Sequence, residues 1–264
     1  MPFPLRLACC AFTLFAACPV ALSQSPPPRD PSAVAVLQQS LAVMGGVVPA
    51  DSVATGTVTI TSGSKTESGT IRILTRGLNQ TAEEFEMPDG KWSDIFSGGL
   101  GAHKAADKLE EQSLEWACSA QSASFPLVLI SSVLNNLDSA FEYVGLEESG
   151  GAKLHHIRIS NTFAWNAKLK HLSEFSIRDL WLDAASGLPR RLSYERRAAG
   201  GAEPRIPMEV RYSDFRTVGG ILYPFRIERD FNGTPWATIK VLSVTFTVGL
   251  SGSAFPVRTQ GRPE

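Results

Sequence analysis

The sequence predicts a mainly β chain with a few helices, an α+β protein built on one large, curved antiparallel sheet. Two observations predict it. Over residues 52–96, and again over 141–248, apolar and polar side chains alternate in short runs broken by Gly, Asn and Asp, the pattern of strands with one dry and one wet face. A helical period stands out in only two segments, 31–44 and 125–137, too little for an all-helical core.

The first helix has both its ends marked. Asp30 is a capping residue, Pro31 suits the first helical position, and Gly45-Gly46 stops the run. Val34, Leu37, Leu41 and Met44 make one apolar stripe, which predicts packing on a sheet. Strands follow. Val58 and Ile60 alternate with threonines, Gly63-Ser64 turns the chain, and 70–75, 80–87 and 92–96 continue an antiparallel meander through the turn Pro88-Asp89-Gly90.

Residues 98–101 read as loop, and 102–117 are mixed, with helix as one reading. Residues 125–137 are strongly apolar. Leu127, Ile130 and Leu134 share a face that Val128 and Leu129 widen, so this is either a buried helix or a lid, and it is shorter than the roughly 20 residues of a membrane span. Seven strand candidates complete the chain at 141–146, 154–160, 176–183, 189–196, 206–215, 222–231 and 236–248, with Ala185-Ser186-Gly187 and Asn232-Gly233 at hairpin turns. No internal repeat or linker interrupts them. The expectation is a single domain over 30–255, with roughly ten strands, followed by a tail over 256–264.

The strand faces separate cleanly. Met208, Val210 and Tyr212 oppose Glu209, Arg211 and Ser213; Tyr223, Phe225 and Ile227 oppose Arg226 and Glu228; Ile239 and Val241 flank Lys240. A wide sheet with one dry face either curls around it or stacks on a second sheet, and alternation alone allows both.

The beginning of the chain reads as an export signal over 1–23. One arginine, Arg6, precedes an uncharged apolar run, and Ala21 and Ser23 stand at −3 and −1 of a cleavage site, leaving 24–29 as a flexible N-terminus. A second reading makes Phe15-Ala16-Ala17-Cys18 a lipobox and Cys18 a lipid anchor. Cleavage after Ser23 would remove Cys9, Cys10 and Cys18, so Cys118 would have no partner for an internal disulfide and the fold would rest on its core. A formal net charge of −1 and a pI of about 6.4 argue against nucleic-acid binding.

The C-terminal hairpins carry a family resemblance. Trp181, Asp183 and Ser186-Gly187-Leu188-Pro189-Arg190-Arg191-Leu192 form one hairpin motif; Val210-Arg211-Tyr212-Ser213-Asp214-Phe215 with Gly219-Gly220-Ile221-Leu222-Tyr223-Pro224 forms a second. With Asn232-Gly233, Leu250-Ser251 and Phe255, this stretch resembles the outer-membrane lipoprotein-sorting (LolA/LolB-like) carriers. The resemblance implies a half-open β-barrel with helices covering a concave apolar cavity, and a periplasmic role in carrying lipids or lipidated proteins. The chain departs from that group by insertions around 98–124 and 150–175.

Physical chemistry agrees with such a role, since hiding an acyl chain is worth roughly 0.8 kcal/mol per buried methylene. The expected cavity residues are Met208, Val210, Tyr212, Phe225, Ile227, Ile239 and Val241, with Leu127, Ile130 and Leu134 on a lid helix. The bland reading makes the same residues a filled core.

Catalytic patterns are lacking. His155 and His156 are adjacent on a strand and face opposite sides, and no HExxH, paired CxxC, GxSxG or phosphate-loop motif occurs. Glu83-Glu84 and Glu147-Glu148 read as solvated carboxylates, and Cys118 as a structural thiol. Arg190, Arg191, Arg196, Arg197, Arg205, Arg211 and Arg216, interspersed with Glu195, Glu203, Glu209 and Asp214, read as a solvated face that could also meet anionic headgroups. Asn79-Gln80-Thr81 and Asn232-Gly233-Thr234 match the glycosylation pattern, but the second is already explained as a turn. The expectation is a non-enzymatic carrier without metal or cofactor, its partners lipid acyl chains or a lipoprotein, with transient membrane contact. The alternative is an envelope interaction or stress-sensor module with a filled core and a protein partner.

Overall fold

The computed structural model describes residues 26–120, 123–196 and 205–258. The export signal with Cys18, Arg197, Glu203 and the end of the tail lie outside them. Helix α1 spans Pro31–Val43, and the Asp30 side chain accepts from the Ser32 and Ala33 amides, as its capping chemistry predicts. Six strands follow: β1 (Asp51–Ser62), β2 (Lys65–Arg76), β3 (Gln80–Met87), β4 (Gly90–Ser97), β5 (Leu100–Ala105) and β6 (Lys108–Glu111). Helices α2 (Leu114–Ala120) and α3 (Pro126–Asn135) lead to β7 (Ser139–Ser149), β8 (Ala152–Asn161), β9 (Arg178–Asp183), β10 (Pro189–Arg196), β11 (Ile206–Val218), β12 (Ile221–Phe231) and β13 (Thr234–Phe246). Short 3₁₀ turns lie at Lys170–Phe175 and Gly252–Ala254.

All thirteen strands form one antiparallel sheet in the order β6-β5-β4-β3-β2-β1-β13-β12-β11-β10-β9-β8-β7. It consists of two meanders joined where β1 pairs with β13, with Val58 opposite Ile239. Strands β6 and β7 are the two edges of the sheet, so it is open and not a closed barrel. A second stacked sheet, which alternation had allowed, is absent among the described residues.

Two expectations are corrected. The sheet has thirteen strands, not about ten. Residues 98–101, read as loop, and 102–117, read as mixed with helix as one reading, form the β5–β6 hairpin, and the helical reading holds only at the end, where α2 begins. The hairpin is an edge, and Lys104, Lys108, Glu110 and Glu111 on it are the charges that keep an edge from pairing with another chain. The same charges hide the strand pattern. The 150–175 stretch is β8 and the Lys170–Phe175 turn.

The topology places the apolar segment. After β6 the chain must pass to β7, at the opposite edge of the same sheet, and α2 and α3 make that passage. Leu127, Val128, Leu129 and Ile130, four consecutive residues pointing in every direction around α3, all have 0% exposure. A helix is about 10 Å across. Burial on every side requires protein to rise around it, and the main core contains α3 together with residues from β1, β2, β3 and β7 through β13. On the opposite face, Phe255 of the C-terminal segment packs with Leu74, Ala82 and Ile95.

Candidate functional site

The seven expected cavity residues share the sheet's inner face. Met208, Val210 and Tyr212 on β11, Phe225 and Ile227 on β12, and Ile239 and Val241 on β13 are all buried and belong to the core that contains α3. Tyr212 pairs with Ile227, and Ile227 with Ile239, so they run side by side across three strands. Leu127 and Ile130 are buried among them, while Leu134, nearer the end of α3, is partly exposed and packs at the margin. Helix α3 and these residues thus share one packed core.

The middle of α3 is held by apolar packing and its flanks by polar clips. At the C-terminal end, Arg29 donates from Nη2 to the carbonyls of Leu134 (3.1 Å) and Asn136 (2.9 Å), and from Nε to Ser139 (3.1 Å). These carbonyls lack helical partners, so a guanidinium suits them. Arg29, placed by sequence in a flexible stretch, is thus anchored, and its strand bridge to Phe141 adds to this. Before the helix, Tyr212 donates to the Ala123 carbonyl at 2.6 Å. Ser124 accepts from Arg229 and donates to Glu83, and Arg229 also donates to both Glu83 oxygens, at 2.5 and 2.8 Å.

This ion pair corrects the reading of Glu83 as solvated. Strand alternation turns Glu84 outward to Arg72 and Glu83 inward to Arg229. Burial alone would push the Glu83 carboxyl up, but the Arg229 charge and the hydrogen bonds from Arg229 and Ser124 outweigh it and hold it below the usual carboxylate range. Glu147 remains well exposed, as read, but is paired: it accepts from Trp181 Nε1 (2.8 Å) and faces His156 Nδ1 (2.6 Å).

The inner face is polar at one end. Arg178 lies on β9 in line with the core residues Leu180 and Leu182, and Tyr194 stands beside it on β10. Arg196, on the same face as Tyr194, corrects the solvated-face reading at that position: it approaches Asp94 at 3.8 Å and the Trp116 ring at 5.1 Å. By contrast, Arg190, Arg191, Arg205 and Arg211 face carboxylates across the outer surface, whereas Arg216, opposite Tyr223, pairs with Asp214 and lies over the Phe225 ring at 4.5 Å, on the inner-face side. Asp94, Arg196 and Trp236 border both a surface pocket of about 580 Å³ and a small inner one of about 20 Å³. The outer pocket adds Trp92 and His103; the inner one adds Glu83, Tyr194, Met208 and Arg229. His103 Nδ1 lies 2.8 Å from Asp94 Oδ1, and that hydrogen bond raises the imidazole's pKa.

Helix α2 roofs this end. Its Trp116 stacks on Phe96 with ring centroids 4.5 Å apart, directly over Gly101, where a Cβ would stand 2.5 Å from the indole. The Cys118 thiol on α2 is pushed up to about 11 by burial, which leaves it a poor nucleophile at neutral pH. No group of three or more metal-ligating side chains occurs among the described residues.

Sequence comparison is silent: no protein-family model matches the chain, and no curated protein matches it either. Solved structures are similar in fold. A structure described as an outer membrane lipoprotein-sorting protein domain from Vibrio parahaemolyticus has a TM-score of 0.59 at 12% identity, over 85% of this chain and 96% of the other. A LolA-superfamily protein from Nitrosomonas europaea gives 0.57 at 10% identity, covering 85% and 97%. A DUF1329-family protein from Desulfovibrio piger also gives 0.57, at 13% identity with 85% and 97% covered. The resemblance read from the C-terminal hairpins thus extends to the architecture, and the chain has the LolA-like fold.

Proposed function

We propose that the protein is a non-enzymatic, periplasmic binder or carrier of lipid or lipidated protein, exported by residues 1–23, and that α3 is a lid seated in the apolar groove it covers. The observation that carries this reading is the construction of α3. Its central residues are apolar on every side, as an acyl chain is, and its flanks are held by hydrogen bonds to Arg29, Tyr212 and Arg229 through Ser124. An acyl chain can replace α3 against Val210, Phe225, Ile227, Ile239 and Val241 while the flanks act as hinges. The Tyr223 hydroxyl supports the reading: it is buried on this face without a hydrogen-bond partner among the described residues, where a ligand ester carbonyl would satisfy it, while the Tyr223 ring packs on Phe125 with centroids 4.6 Å apart. The fold of the lipoprotein-sorting neighbours points the same way.

The filled core favours a second reading, an envelope interaction or sensor module whose partner is a protein. Native mass spectrometry of the purified protein with added phospholipid, combined with amide exchange, separates the two. A carrier takes up lipid and loses protection selectively in 126–135. Absence of uptake, with α3 still protected, would reject the carrier in favour of the module.

A further inference from the structure

The polar end of the groove holds more cationic than anionic groups. Arg178, Arg196 and Arg229 gather around Tyr194 on the inner face, against the carboxylates Glu83 and Asp94. Arg229 is committed to Glu83, and Arg196 makes only a long approach to Asp94. Arg178 is the exception. It is 7% exposed, donates from Nη2 to the Cys118 carbonyl at 2.7 Å, and its Nε is buried without a partner. Among the described residues no carboxylate lies within ion-pair distance of it. A buried guanidinium facing only carbonyl and phenol dipoles is costly, and a second anion beside it would relieve that cost. The Nε of Arg229 is likewise buried and unpartnered.

There is a route to this cluster. The 580 Å³ surface pocket and the small inner pocket share Asp94, Arg196 and Trp236, so a group entering past Trp92 and His103 meets Arg196 first and Tyr194 and Arg229 next. The inner void of about 20 Å³ is too small for a tetrahedral anion and Arg178 borders neither pocket, so reaching Arg178 beside Tyr194 requires its hold on the Cys118 carbonyl of α2 to open. From this we infer that the polar end of the inner face is a subsite for a phosphate group, bound by Arg196 and, once its contact with α2 opens, by Arg178 beside Tyr194.

The inference rests on the lipid-binding reading and narrows its ligand to a phosphate-bearing amphiphile. Phosphate chemistry fits because its oxygens accept several guanidinium donors at once, including the idle Nε groups.

The test is equilibrium binding of the purified protein to three probes: dioleoylphosphatidylglycerol, dioleoylglycerol with the same chains and no phosphate, and inorganic phosphate. We expect the phospholipid to bind about ten-fold more tightly than the diacylglycerol, a ratio set by charge-assisted hydrogen bonds. Arg178→Met should close that gap while diacylglycerol binding persists, and Arg178→Lys should restore part of it. Should Arg178→Met fail to fold, Arg196→Met, at the more open side, is expected to narrow the same gap. Equal affinity for the two lipids would overturn the subsite and leave the lipid reading intact. Binding of neither lipid nor phosphate would overturn both. Binding of inorganic phosphate alone would keep the anion site and assign it to a free phosphate.

Discussion

Glu83 and Arg229 show how one buried pair joins distant parts of the chain. They stand 146 residues apart in sequence, with Ser124 between them at the approach to α3. Removing one partner strands the other charge in the core, so Glu83→Gln is expected to cost about 3–5 kcal/mol in urea unfolding, with part of the loss recovered in the double variant Glu83→Gln/Arg229→Met. The pH dependence follows from the direction of the shift. The Glu83 carboxyl is held below its unfolded value, so its contribution is complete above roughly pH 5 and lost as pH falls through the folded value. Unfolding midpoints between pH 6 and 3 should fall more steeply for the wild type than for Glu83→Gln. Cys118 gives a second expectation at this scale. With its thiol at about 11, it should react slowly with iodoacetamide at pH 7.5 in the folded protein and rapidly in denaturant, followed by mass spectrometry.

Among the elements, α3 is where structure and proposed function meet. Apolar packing holds its middle, and Arg29 satisfies the carbonyls at its end. Arg29→Ala is therefore expected to speed amide exchange in 126–135 more than in β11–β13, and to lower global stability by only about 1–2 kcal/mol. A uniform loss of protection across the sheet would make Arg29 an ordinary structural clip. Sequence was informative about most elements. Helix α1 was readable from Asp30 to Gly45-Gly46, and every hairpin from β7 to β13 had its strands legible, because capping, turns and alternation are local chemistry. The β5–β6 hairpin was not readable, since short charged edge strands lack the alternation that marks a buried face. Alternation could have assigned Glu83 to the inner face, since Phe85 two residues on is core; the adjacent Glu84 obscured that signal.

For the whole molecule, the open sheet needs cover on both faces. The inner face takes α1 and α3. The outer face of the N-terminal meander takes the C-terminal segment, where Phe255 is 2% exposed and the Asp51 carboxylate accepts the amides of Val248, Gly249 and Leu250. Phe255→Ala should cost about 3–5 kcal/mol, measured as a drop in the urea midpoint without change of slope. Such an effect from a residue outside every strand would identify the segment as part of the folded unit.

From the sequence alone came the two strand-rich halves, the helix between them, the face on which each apolar side chain lies and the family its hairpins resemble. All of these depend on period and turn chemistry among residues a few positions apart. Tertiary structure alone decided that β1 closes against β13, that α3 and the seven residues share one core, and that Arg178, Arg196 and Arg229 gather around Tyr194. Those facts depend on which strands become neighbours and which partner is left to a buried charge. Strand order and long-range pairing belong to the folded sheet, and no local pattern encodes them.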